Sequence, residues 1–263
     1  MGLVGGELGY RLLKLISAAG EGACAGSSYA GRSKLDVLLG DRFWEDIQGR
    51  TVIDFGCGSG AESIEMARRG AAHVIGIDIR ESLLAEAREN ASRAGVEARC
   101  TFVREARARA DVVVSVDSFE HFEDPAAILR VMHGLLAPDG RVWASFGPTW
   151  YHPYGGHLFS VFPWAHLVFT EKALIRWRSD FKSDGATRFG EVAGGLNQMT
   201  IRRFERIVAD SPFEFAYFRA VPIRVARRLA NRFTREFLTA VVQCKLVPAT
   251  APPADGAPPR ANA

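Results

Sequence analysis

Residues 51–60 read TVIDFGCGSG and run directly into AESIEMA at 61–67. A short β-branched, apolar run that ends in a glycine cluster and then takes up helical periodicity predicts a strand, a tight turn and a helix. Such a turn lets a ligand approach the backbone closely. Gly56, Gly58 and Ala61 also satisfy the loose dinucleotide spacing, so the glycines alone leave the nucleotide open. Asp54 narrows the choice. Two residues before Gly56, a carboxylate faces a pyrophosphate unfavourably but attracts the ammonium of a methionine-like ligand, directly or through water. A second carboxylate, Asp78, closes the next apolar run, 73–77, where it can accept from both ribose hydroxyls.

Together these residues resemble the class I S-adenosylmethionine (SAM)-dependent methyltransferase family. The Asp-x-Gly-x-Gly-x-Gly turn matches its first motif, and Gly76-Ile77-Asp78-Ile79 matches the ribose motif that follows. The resemblance implies an α/β, Rossmann-like, doubly wound sheet of seven strands with the last pair antiparallel, and SAM as methyl donor. It implies cofactor contacts from Asp54, Gly56, Cys57, Gly58, Gly60 and Asp78, with Ile79 packing on the adenine. It also implies a hydrogen bond to the adenine amino group at Glu105 and backbone contact with the methionine part at Val116. Glu105 stands just before a short basic connection, 106–110, and reads equally as a surface ion-pair partner of Arg107 or Arg109. A generic Rossmann domain for another nucleotide is the competing reading.

From Thr51 the chain alternates strand and helix, which predicts a mainly parallel sheet covered on both faces. Strands are expected at 51–55, 73–78, 99–103, 111–116 and 140–146, with helices at 61–69, 81–94 and 125–136. A helix at 200–209 leads into an antiparallel pair, 213–221 and 236–247, joined by 222–233. The motif match covers 51–147. The methyltransferase domain is expected to span 51–247, and the stretch 147–199 inside it exceeds an ordinary connection, so it is expected to be a substrate cap inserted after the fifth strand. Residues 1–50 carry helical spacing at 8–19 and 33–47 around a glycine-rich piece; in the resembled family such a segment often lids the cofactor, and a helix merely covering the sheet reads alike. The Pro- and Ala-rich end, 248–263, is expected to be a disordered tail.

Beyond the fourth strand, Asp117, Glu120 and His121 stand at i, i+3 and i+4, so one helical turn would bring two carboxylates and an imidazole onto one face. This Asp-x-x-Glu-His resembles the Glu-x-x-Glu-His of metal-assisted O-methyltransferases, including those of ubiquinone biosynthesis and of small-RNA 3′ ends. Oxygen-rich ligation with one His suits Mg2+ or Mn2+ better than zinc. Without an ion, the same residues would cap a helix or line the pocket. The cap stretch is rich in aromatic residues and holds His152 and His157 around a Pro- and Gly-containing turn. Either histidine, or His121, has the chemistry of a general base near neutrality, and either also reads as a packed, hydrogen-bonded residue. The aromatic content favours an apolar or planar acceptor.

A chain of 263 residues with 48% hydrophobic content can bury a full core, and a formal charge of +3 does not by itself argue for nucleic acid. Cys24, Cys57, Cys100 and Cys244 are scattered without paired spacing, so a reducing cytosol is the expected location. The best apolar stretch, 157–169, is thirteen residues long, too short to span a membrane. The composite expectation is a cytoplasmic SAM-dependent methyltransferase of a small molecule, O-methylation first. A SAM-binding regulatory module without catalysis, a metal-assisted RNA-modifying enzyme and, more distantly, a nicotinamide oxidoreductase are the alternatives. Oligomeric state is left open.

Overall fold

A computed structural model describes residues 2–16, 32–192 and 195–249. The glycine-rich piece 20–31, the end of the first expected helix after Ile16 and the tail from 250 onward lie outside the described residues. In chain order the elements are α1 (Gly6–Ile16), α2 (Lys34–Leu38), α3 (Asp41–Ile47), β1 (Thr51–Phe55), α4 (Ala61–Arg68), β2 (His73–Ile77) and α5 (Glu81–Arg93). There follow β3 (Cys100–Val103), β4 (Ala110–Val116), α6 (Pro125–Leu135), β5 (Leu136–Phe146), α7 (Ala165–Val168), α8 (Glu171–Arg178) and α9 (Ile201–Ala209). β6 (Phe213–Pro222), α10 (Arg235–Leu238) and β7 (Thr239–Pro248) complete the order.

The seven strands form one sheet in the order β3-β2-β1-β4-β5-β7-β6. Pairs among β1 to β5 are parallel, and β7 runs antiparallel to both β5 and β6. The strand order reverses between β1 and β4, which opens a crevice at the carboxyl ends of the strands. Alternate side chains of β1 and β4 go to opposite faces: Val52, Val112 and Val114 pack with α2 to α5, whereas Ile53 and Val113 pack with α6 and α9. The class I methyltransferase architecture inferred from the glycine turn is therefore the observed one.

Three boundaries differ for physical reasons. Glu236 was expected in the last strand but lies in α10, where its buried carboxylate accepts from the N–H groups of Ile201 and Arg202 at the start of α9. β5 starts at Leu136, directly after α6, and absorbs the expected Pro138 turn as a bulge: Ala110 pairs with Leu136 and Val112 with Arg141. The leading segment divides. α1 packs on α8, with Leu13 buried in the core of the insert between β5 and α9, whereas α2 and α3 cover the sheet.

Aromatic rings tie α9 to the sheet: Phe204 meets Phe146 at 4.8 Å and Phe119 at 5.2 Å between ring centroids. Phe204 is fully buried, so Phe204→Ala is expected to cost about 3–5 kcal/mol in a urea unfolding experiment. An exposed change on the same helix, such as Arg206→Ala, is expected to stay within about 0.5 kcal/mol.

Candidate functional site

The β1–α4 turn is fixed by its backbone. The N–H groups of Gly56 and Cys57 donate to the Ile77 carbonyl at 2.8 and 2.9 Å, so the turn is pinned to the end of β2. Gly58 has φ of +53° and open space where a Cβ would stand, which leaves its face accessible. Gly60, left-handed at the start of α4, has no such room: a Cβ would lie 2.9 Å from Ala87 and 3.0 Å from Phe102. Cys57 is buried, with its thiol pushed well above the usual range by desolvation, and its side chain packs beside Gly76. One glycine thus serves access, the other close packing.

Carboxylates crowd this turn. Asp54 is buried and accepts from Ser63 Oγ at 2.6 Å; desolvation first, then the charge of Glu62, raises its pKa to about 7. Asp78 accepts from Gly58 N–H at 3.1 Å and from the backbone and guanidinium of Arg80, which outweigh its desolvation and hold its carboxyl below the usual range. Next to it Ile79 is 80% exposed, an apolar surface at the end of β2. Glu105 is exposed in the loop after β3.

At the end of β4 the chain does not make the helical turn expected for Asp117, Glu120 and His121. Asp117 takes φ of +49°, its N–H donates to the Ser145 carbonyl at 2.9 Å, and its carboxylate pairs with Lys34 Nζ at 3.1 Å. The carbonyl of Val116 accepts from Ser118 Oγ at 2.9 Å. Lys34, at the first position of α2, also lies 3.5 Å from Glu62 in the first turn of α4. Sequence reading missed Lys34, having left the leading segment open between a cofactor lid and a helix that covers the sheet; the Ser33 N-cap before it was the available clue.

Glu120 and His121 instead meet His157 of the insert. Ligand atoms of the three lie within 4.8 Å of one another, and the two imidazole rings are 5.3 Å apart edge to face. Asp117 gives up its expected place in this group to His157. Glu120 is buried; desolvation, then Asp117, raises its carboxyl to about 8. One of its oxygens accepts from Gly147 N–H at 3.2 Å, while the other, Oε2, is buried with no hydrogen-bond partner among the described residues. His121 Nδ1 must donate to the Gly195 carbonyl at 2.8 Å, because a carbonyl only accepts, and in the neutral ring Nε2 is then the nitrogen that carries the lone pair. Burial and His121 push His157 down to about 4, so it stays neutral. Both histidines and Arg178 line a cavity of about 100 Å3.

Asn197 clamps the insert to this turn. Its side chain donates to the carbonyls of Phe119 and Phe122 at 2.6 and 2.7 Å, and its N–H to the Glu120 carbonyl at 3.0 Å. Nothing in its sequence surroundings marked it. His152 stands apart from the group: its Nδ1 accepts from Tyr154 N–H at 3.0 Å, and burial lowers its pKa to about 4.

Residues 53–144 match the family described as methyltransferase domain. This segment is a class I methyltransferase domain. Over 119 residues the chain is 44% identical to the ubiquinone biosynthesis O-methyltransferase of Neisseria meningitidis serogroup C (strain 053442), covering 43% of this chain and 49% of that protein. The namesake of Pseudomonas paraeruginosa (strain DSM 24068 / PA7) is 39% identical over 105 residues, or 38% of this chain and 45% of its own. The matches thus span about half the length of these relatives. Among solved structures, an S-adenosylmethionine dependent methyltransferase from Mesorhizobium loti superposes with TM-score 0.50 at 17% identity, covering 77% of this chain and 92% of that one. The mitomycin 7-O-methyltransferase MmcR superposes with TM-score 0.51 at 15% identity, covering 82% and 51%. At such identities these two speak for the fold alone.

The raised carboxyl of Asp54 gives a testable pH dependence. The folded chain holds that proton more tightly than the unfolded chain, so its contribution is whole at low pH. It is lost as pH rises from the ordinary carboxyl range through about 7. Urea midpoints of the ligand-free protein are expected to fall over that window, and Asp54→Asn is expected to flatten the fall.

Proposed function

We propose that this methyltransferase domain transfers the methyl group of SAM to a hydroxyl of a small aromatic or apolar molecule, assisted by a divalent ion. The observation that carries the donor assignment is Lys34. The Lys34 ammonium already lies between Asp117 and Glu62 at the mouth of the glycine turn, and the ammonium of a methionine moiety would replace it there as Lys34 withdraws. Asp54, Gly56, Gly58 and Gly60 form the floor. The ribose falls to Asp78, the adenine to Ile79 and Glu105, and the methionine part to the backbone at Val116. Arg80 has to yield part of its hold on Asp78 for the ribose hydroxyls to be accepted.

Two features favour metal assistance over a lone histidine base. An imidazole whose conjugate acid has a pKa of about 4 is a weak acceptor for a hydroxyl proton. Beside it stands the partnerless buried oxygen of Glu120, with His121 presenting Nε2. The donor set of one carboxylate and two imidazoles fits a divalent ion, and it is less oxygen-rich than the sequence suggested, which moves the preference from Mg2+ toward Mn2+. Such an ion would lower the pKa of a hydroxyl bound to it. The acceptor oxygen, its proton released to solvent, would attack the methyl carbon as the carbon–sulfur bond breaks toward sulfur, and S-adenosylhomocysteine would leave. The residues 147–199 act as the substrate cap, and His152 supports its turn.

The relatives' name, ubiquinone biosynthesis O-methyltransferase, supports oxygen as the acceptor atom. The thiols of Cys57, Cys100 and Cys244 are free, which supports a reducing, cytosolic location. Among the described residues no helix is long and apolar enough to cross a membrane.

With SAM, Mn2+ and a panel of hydroxylated aromatic compounds, the expected product is a methyl ether, identified by mass spectrometry; methylation of nitrogen or carbon alone would refute the oxygen assignment. Glu120→Gln and His157→Gln are each expected to weaken Mn2+ binding by at least about tenfold in calorimetry. Asp117→Asn is expected to keep that affinity.

A further inference from the structure

The connection between β6 and β7 exposes a set of side chains that the methyl-transfer reading does not use. β6 runs parallel to β5, so its end at Pro222 lies at the same sheet edge as the glycine turn. From there the chain makes a 3₁₀ turn, Arg224–Leu229, and returns through α10. The loop is built rather than loose. Ile223 N–H donates to the Leu238 carbonyl at 2.7 Å and closes its base; Thr234 Oγ1 donates to the Leu229 carbonyl, and Asn231 Oδ1 accepts from the N–H groups of Phe233 and Thr234. Arg235 makes a bidentate pair with Glu205.

This anchored loop nevertheless holds Val225, Phe233 and Leu229 in solvent, 95%, 74% and 67% exposed. Interleaved with them are Arg224, Arg227, Arg228 and Arg232, none in an ion pair among the described residues; Arg232 lies over the Phe233 ring. The acidic side chain of the loop, Glu236, points inward to α9. A fixed loop that presents aliphatic side chains between unpaired arginines matches a surface apolar just below and anionic at its top.

We infer that the β6–β7 connection docks this protein on a membrane containing anionic phospholipid. Val225, Leu229 and Phe233 enter the acyl boundary while the arginines meet phosphate groups. Aliphatic Val225 and Leu229 have nothing to offer a nucleotide base, which favours lipid over RNA. The loop touches the insert, Tyr151 packing on Phe237 at 5.3 Å, so docking would set the insert beside the bilayer, where apolar molecules concentrate. The inference goes beyond the proposed reaction and stands or falls without turnover.

The test is sedimentation of the full chain with vesicles. Binding is expected to equal parts of phosphatidylcholine and phosphatidylglycerol, with much less to phosphatidylcholine alone. Replacing Arg224, Arg227 and Arg228 together by Gln is expected to lower the partition coefficient on the order of a hundredfold. Replacing Val225, Leu229 and Phe233 together by Ser is expected to abolish sedimentation, and both variants are expected to keep the wild-type affinity for S-adenosylhomocysteine. Absence of wild-type binding, equal binding to neutral vesicles, or variants that sediment like wild type would overturn the inference. So would arginine-dependent capture of a single-stranded RNA without vesicle binding.

Discussion

The arrangement depends on how negative charge is crowded around one glycine turn. Asp54, Glu62, Asp78 and Asp117 come from β1, α4, the end of β2 and the end of β4, and the fold brings them to the same rim. The consequences are visible in the side chains. Asp54 holds its proton to about pH 7, Asp78 is neutralised by Arg80, and Glu62 and Asp117 share Lys34. A diphosphate would add charge of the same sign at short range. An ammonium relieves it.

The second constraint is the joint between sheet and insert. Asn197 and Gly195 fasten the β4–α6 turn from the insert side, and Gly147 from the end of β5, so Glu120 and His121 are held by groups far away in sequence. That clamp brings His157 against them. A variant that loosens Asn197 would disturb the site without touching any ligand.

Most strands and helices of the sheet were legible to within a residue or two, the starts of β5 and β7 excepted, because each is a short run bounded by glycine, proline or a charged turn. β1, for instance, ends where the glycines begin. The turn after β4 was not legible. Spacing of i, i+3 and i+4 predicted a shared face only if the backbone were helical, and Asp117 is left-handed because the chain must leave the strand while its N–H still pairs with Ser145. Once turned, its carboxylate meets a lysine from the leading segment, a contact that no local period encodes. His157 was legible as a chemically capable residue, but its partners were not, since the insert folds back through its own core.

The central claim is that the glycine turn is a site for a cationic amino-acid moiety. Calorimetry of the purified chain with S-adenosylhomocysteine and, separately, with NADH tests it most directly. The account predicts binding of S-adenosylhomocysteine that Asp117→Asn weakens by about tenfold or more, and no measurable binding of NADH. Tight binding of NADH with indifference to S-adenosylhomocysteine would contradict it.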